Sequence, residues 1–243
     1  MILVCGSQLS HGEELDCIFG DEDYSLVGFV YSCRVTSFVN PNNNLSIDGY
    51  SGEHLANRND ADVQAIIMEG TNTKYIPTNL GSLFNLTALY MDYTQLIEIK
   101  ATDFLGMQDL EEISFFNDKF SSVPLDVFTT LTKLRYIDLS YNQIEELPNG
   151  ILVNCLELKV IQLYGNKIKY LGTEIFHDLK KLNFVDLRKN ICVNKSYYGA
   201  TEIIQLNKDI KMKCKNPNEV PATTTTTSTT SITQNPNGTD VFE

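Results

Sequence analysis

Few side chains in this sequence stand in patterns that do chemistry. Ser51 lies in Gly49-Tyr50-Ser51-Gly52-Glu53, which follows a nucleophile elbow only until Glu53 takes the place of the second required glycine. The segment therefore reads as a polar loop. Asp21-Glu22-Asp23 lacks the alternating ligand spacing of a calcium loop and reads as a solvated turn. His11, His54 and His177 are scattered, and no Cys-x-x-Cys pair accompanies them, so a zinc site is not expected. Neither catalysis, a cofactor nor a bound metal is expected.

The six cysteines are Cys5, Cys17, Cys33, Cys155, Cys192 and Cys214. Residues 1–7, Met-Ile-Leu-Val-Cys-Gly-Ser, read as the remnant of a signal peptide with cleavage at Gly6 or Ser7, the alternative being an ordinary N-terminus. Loss of Cys5 with that remnant leaves five cysteines, and two bridges with one buried thiol is the simplest arrangement. Asn44, Asn85, Asn194 and Asn237 each open an Asn-x-Ser/Thr sequon. Residues 222–233 are Ser or Thr apart from Ala222 and Ile232, a tract with no side chains to build a core. Residues 215–243 thus read as a disordered tail, mucin-like and O-glycosylated or plainly flexible. Cysteines, sequons and tail together place the chain in the oxidising secretory route, extracellular and secreted.

With 19 basic and 31 acidic residues among 243, the chain carries a formal charge of −12. That balance argues against a phosphate-binding surface, so nucleic acid is not an expected partner. The apolar fraction of 42% suffices for a core, and no run of residues is long and apolar enough for a membrane helix. A membrane enters only if the chain is a piece of a receptor ectodomain.

Self-similarity decides the architecture. Segments beginning at Leu86, Leu110, Leu134, Leu158 and Leu182 follow one another at 24-residue intervals, the last shortened, and Val63–Asn85 forms an earlier unit one residue shorter. We number these units one to six from Val63. Apolar residues at positions 1, 4 and 6 of each unit (Leu134, Ile137, Leu139) are the inward side chains of a short strand. Position 9 turns the chain, and Asn142, Asn166 and Asn190 stand there, where a buried amide can satisfy backbone groups opened by the turn. Positions 11, 14, 19 and 22 return to the core. Position 19 carries Phe104, Phe128, Leu152 and Phe176, and position 22 carries Met107, Leu131, Cys155 and Leu179. Cys155 is thereby expected to be a buried thiol rather than a nucleophile.

This pattern resembles the extracellular leucine-rich repeat family in its 24-residue subclass, L-x-x-L-x-L-x-x-N-x-[LI]-x-x-L-P-x-x-x-F-x-x-L-x-x. Thr71, Thr94 and Asp118 depart from it at the asparagine position, so the ladder is expected only in the C-terminal half. The resemblance implies an α/β solenoid: a leucine-rich repeat horseshoe with a short parallel sheet on its concave face and disulfide-capped ends. Its parts are an N-terminal cap at 8–62, six repeat units at 63–191 and a C-terminal cap at 192–214. It further implies a β-hairpin cap held by a Cys17–Cys33 bridge, and a Cys192–Cys214 bridge closing a segment whose Ile203, Ile204, Leu206 and Ile210 cover the last core layer. A C-terminal cap with two cysteines rather than four is similar to those of some insect secreted repeat proteins.

Positions 3, 5, 7 and 8 face or rim the concave side. They place Tyr90, Tyr93, Phe116, Tyr136, Tyr141, Tyr164 and Phe184 on one exposed surface, with Asp92 and Asp138 among them. Large aromatics on a rigid sheet are frequent binding hot spots, and the acids favour a basic or amide-rich partner. Rings that merely shield the sheet are the plainer reading. A secreted module that binds a protein through this face, as in host defence or cell-surface recognition, is the preferred expectation. The ectodomain of a membrane receptor or adhesion protein and a structural or matrix glycoprotein are the alternatives.

Overall fold

The computed structural model describes residues 13–24, 28–37, 39–40, 47–83 and 85–217. The segment expected to be a signal remnant, with Cys5, the sequons at Asn44 and Asn237 and the Thr-rich tract lie outside them.

Each repeat unit contributes one three-residue strand: Ala65–Ile67, Ala88–Tyr90, Glu112–Ser114, Tyr136–Asp138, Val160–Gln162 and Phe184–Asp186. They pair in parallel without register shift, so that Ala65, Ala88, Glu112, Tyr136, Val160 and Phe184 form one row. Strands this short suffice because the chain turns immediately after each. Position 8 has left-handed backbone in every unit, with φ of 69° at Gly70, 58° at Tyr93, 57° at Asn117, 57° at Tyr141, 69° at Gly165 and 55° at Lys189. Glycine and asparagine adopt that conformation at low cost, whereas tyrosine does so under strain.

Residue 9 then inserts beneath the turn. The Asn166 amide donates to Leu139 O at 2.8 Å and Leu163 O at 3.1 Å, and its Oδ1 accepts from Ile144 N at 3.1 Å. Asn142 and Asn190 repeat the donor pattern. The ladder does not stop where the asparagines stop. Asp118 accepts from Leu96 N at 3.0 Å and from the Thr94 hydroxyl at 3.1 Å, and Thr71 bonds Thr73 at 2.7 Å. Polar side chains of other types thus occupy the same position through units one to three, with Asp118 accepting from backbone and Thr71 bonded to a second side chain.

The return limbs are mostly turns, with a four-residue helix at Leu80–Leu83 and a 3-10 turn at Ala101–Phe104. Between limbs and sheet lies one continuous core. Phe104, Phe128 and Phe176 are buried at position 19, with ring centroids of Phe104 and Phe128 6.3 Å apart. Full burial of such a ring contributes roughly 1.5–3 kcal/mol. Cys155 is the free cysteine among the described residues, buried in this stack, and burial pushes its thiol up to about 12.

At the N-terminal end, Glu13–Tyr24 and Gly28–Ser37 form the expected antiparallel hairpin, bridged by Cys17–Cys33 with Cα atoms 5.2 Å apart. Its second strand pairs in parallel with unit one through Cys33↔Ile66, and Ile47–Ser51 pairs in parallel with the first strand. Two expectations are corrected here. Asp21-Glu22-Asp23 lies within a strand rather than a turn, where Glu22 pairs with Arg34 at 3.0 Å. Tyr50 and Ser51 belong to an edge strand rather than a loop.

At the other end, Ser196–Tyr198 adds an antiparallel strand to unit six, and the helix Gly199–Lys213 closes the core. The sheet therefore has ten strands, four more than the repeats supply. Cys192 and Cys214 are bridged, with Cα atoms 5.0 Å apart. Ile203, Leu206 and Ile210 are buried as expected. Ile204 is 60% exposed and takes no part in covering the core, because three-residue and four-residue steps from Ile203 set the buried stripe and leave its neighbour outside.

Candidate functional site

The concave residues separate into two tiers. The outer tier runs along the rim as an aromatic row from Tyr93 to Phe116, Tyr141 and Tyr164, with successive ring centroids 5.3, 5.2 and 5.0 Å apart and rings tilted edge to face. The row alternates position 8 and position 7 of consecutive units, so the 24-residue repeat and the strand spacing together fix its pitch. Tyr93 and Tyr141 remain 48% and 40% exposed. Both are the left-handed residues of their turns. Tyrosine there holds a backbone conformation that Gly70, Asn117 and Gly165 adopt at lower cost in neighbouring units. Gly165 in turn leaves room for one of them, since a Cβ there would lie 3.1 Å from the Tyr141 ring.

Cations close the row at one end. Lys189 Nζ lies 4.8 Å from the Tyr164 ring centroid and 5.9 Å from that of Tyr141, and Arg188 Cζ lies 5.3 Å from Tyr164. A hydrogen bond from Lys189 to the Tyr164 oxygen, with a second from Tyr141, holds Tyr164 below the usual phenol range; the same bond raises Tyr141.

The inner tier is the floor. Tyr90 donates to the Glu112 carboxylate, and its ring packs on the cluster of Val30, Ala65 and Ala88. Asp92 accepts from the Ser114 hydroxyl at 2.6 Å and from Phe116 N at 2.9 Å. Asp138, 7% exposed, accepts from Ser140 N at 2.7 Å. Burial raises both Asp92 and Asp138, and the charged neighbours acting on them are other carboxylates. Tyr136 is half-buried between Asp138 and Gln162, and burial first, then the Asp138 charge, raises its phenol. Phe184 is half-buried beside Tyr198, with centroids 6.4 Å apart.

Of the nine residues singled out in sequence, the structure thus gathers Tyr93, Phe116, Tyr141 and Tyr164 into one rim row and seats Tyr90, Asp92, Tyr136 and Asp138 beneath it. Phe184 stands apart toward the C-terminal edge. Arg188 and Lys189 were not singled out, although their positions 7 and 8 in unit six are those of the rim. Asn85 is exposed, and its amide donates to Ala61 O at 3.2 Å. Asn194 is exposed beside the cationic end of the row, where its Oδ1 accepts from Lys189 N at 2.8 Å. Among the described residues no group of three His, Cys, Asp or Glu is placed to hold a metal ion, and no helix is long and apolar enough to cross a membrane.

A family model described as leucine rich repeat matches residues 84–144 and 137–190. No curated protein matches the chain. Similar solved structures include the Toll–Spatzle complex of Drosophila, at 18% identity and TM-score 0.43 over 59% of this chain. A leucine-rich repeat protein of Leptospira interrogans aligns at 24% identity and TM-score 0.48 over 61%, and the TLR13–ssRNA13 complex at 19% and 0.44 over 50%. This chain covers 27%, 37% and 18% of those three chains, in the same order.

Proposed function

Because the chain is a leucine-rich repeat protein, a fold generally used as a non-enzymatic binding scaffold, we propose that it is an extracellular recognition module that binds a protein partner through its concave face. One observation carries this reading: a row of four aromatic rings stands on the rim of a rigid sheet, two of them held in left-handed backbone that a smaller residue would adopt with less strain. Rings that only shielded the sheet would not need to remain 40–48% exposed at a strained position, as Tyr141 and Tyr93 do. The Cys17–Cys33 and Cys192–Cys214 bridges support an oxidising compartment, and hence a partner met outside the cell, in surface recognition or host defence. The contact residues of this reading are Tyr93, Phe116, Tyr141 and Tyr164, with Tyr90, Asp92, Tyr136, Asp138 and Phe184 as the floor.

The test is capture of partners from native extracellular fluid, read by mass spectrometry. The wild-type chain is compared with one carrying Tyr93, Phe116, Tyr141 and Tyr164 changed to Ala. Since truncating one hot-spot ring costs about 2 kcal/mol or more, the quadruple variant should lose at least about 100-fold in affinity at an unchanged melting temperature. A partner held equally by both proteins would remove the concave rim from consideration.

A further inference from the structure

The repeat contains two copies of one polar–aromatic frame, 48 residues apart, and only one of them holds a cation. In the C-terminal copy Asp186 holds the Arg188 guanidinium with both carboxylate oxygens: Nε at 3.0 and 3.1 Å, Nη2 at 2.6 Å. The same guanidinium lies over the Tyr164 ring at 5.3 Å. A planar cation between a carboxylate and an aromatic face is a favourable site for arginine in particular, because its fork matches both oxygens while its plane stacks.

Subtracting 48 residues carries Tyr164 to Phe116, Asp186 to Asp138 and Arg188 to Ser140. The sheet register confirms the equivalence, since Asp138, Gln162 and Asp186 lie in one row of adjacent parallel strands. The ring and the carboxylate are therefore repeated, but the residue that would supply the cation is a serine. Ser140 is 2% exposed, and its short hydroxyl side chain lies beside the Asp138 carboxylate without bringing a charge to it. The Tyr136 hydroxyl reaches the second oxygen of Asp138 only at 3.4 Å, and among the described residues no cation fills the gap. Positions 3, 5, 7 and 8 of units two to four carry Asp92, Glu112 and Asp138 and not one Lys or Arg. The chain's own cations sit at the two ends of the face, Arg34 on Glu22 and Glu69 and Arg188 on Asp186.

We infer that the Asp138–Phe116 frame is the seat of an arginine side chain supplied by the protein partner, which docks there as Arg188 docks on Asp186 and Tyr164. This rests on the concave-face reading above and adds to it the chemistry of the partner's central contact. The partner presents an exposed arginine, on a surface whose charge opposes the acidic middle of the sheet.

The experiment titrates the full chain with the blocked tripeptide acetyl-Gly-Arg-Gly-amide and with its citrulline counterpart, which has nearly the same shape and no charge. Nuclear magnetic resonance follows the Phe116 and Tyr141 rings and the Ser140 amide. Saturable shifts with the arginine peptide are expected, with binding weaker by about tenfold or more for citrulline or for Asp138→Asn. Ser140→Arg, which supplies the cation in cis, should abolish the shifts while the chain still melts cooperatively. Equal shifts with both peptides, or wild-type binding by either variant, would overturn the inference. In the capture assay, a partner lost by the aromatic quadruple variant but fully retained by Asp138→Asn would also overturn it, leaving the concave-face reading intact. A partner retained by both would remove that reading as well.

Discussion

Asp118→Asn is expected to raise the melting temperature at pH 8 and to leave it nearly unchanged at pH 4. Asp118 occupies the ladder position that Asn142, Asn166 and Asn190 fill in later units. One of its oxygens accepts from Leu96 N and the Thr94 hydroxyl. The other is buried and without a hydrogen-bond partner. In the asparagine units the second arm is an amide that donates to two backbone carbonyls, as Asn142 does to Phe115 O and Leu139 O. The corresponding acceptors for Asp118 are Met91 O and Phe115 O. An ionised carboxylate can only set an oxygen against them, whereas a protonated one donates. Burial accordingly lifts its pKa from 3.8 to about 7.

The direction of the pH effect follows. A carboxyl with a raised folded-state pKa binds its proton more tightly in the fold, so its favourable contribution is complete below about pH 4. It is lost as pH climbs through about 7. A shift of this size corresponds to on the order of 4 kcal/mol, or about 8–16 °C in a domain of this length. The asparagine variant keeps the acceptor, supplies the donor and has no proton to lose. Melting curves from pH 4 to pH 8 should therefore converge at the acid end and separate at the basic end. Parallel profiles for the two proteins would show that Asp118 is not titrating in the fold.

Gly81→Ala should be strongly damaging for the addition of a single methyl. A Cβ on Gly81 would lie 2.4 Å from Leu105 O and 2.6 Å from Gly106 C, and one on Gly106 would lie 2.8 Å from Gly81 O. Two return limbs from adjacent units thus touch backbone to backbone, and no flexible side chain is available to move aside. Separating them strains the limb of unit two, whose Phe104 is buried two residues before Gly106. The expected loss is about 3 kcal/mol or more, with the melting point falling by about 6–12 °C. A loss below about 1 kcal/mol would mean that the limbs slide freely. The same substitution at Gly70, whose Cβ would meet nothing within 4 Å, is the control for backbone conformation alone, since its φ is 69°.

What the sequence made legible was whatever the repeat states more than once. Leu134, Ile137 and Leu139 declare an inward strand because the same spacing recurs in every unit, and the burial of Cys155 follows from its alignment with Met107, Leu131 and Leu179. The caps are stated once. The strand at Ser196–Tyr198 is three residues with no periodicity to betray it, and it forms because unit six leaves an unpaired edge. The outward turn of Ile204 depends on helix phase, which composition alone did not supply. At the site, alignment placed Tyr93 and Tyr141 on the rim but not their left-handed backbone, and it did not reveal that Arg188 reaches back to Asp186. That contact is a rotamer choice rather than a pattern.

The ten-strand sheet also has a mechanical meaning. Its strands are stacked crosswise to the direction that leads from the hairpin to the C-terminal helix. Tension applied between those ends does not shear many hydrogen bonds at once; it peels strand pairs one after another, each with only three residues in register. Each of the four full units released pays out 24 residues, a step of roughly 80 Å at about 3.4 Å per residue. The loops closed by the bridges, with separations of 16 and 22 residues, cannot lengthen at all. Under load the chain behaves as a coil of line fastened at both ends, yielding in equal lengths from between two fixed knots.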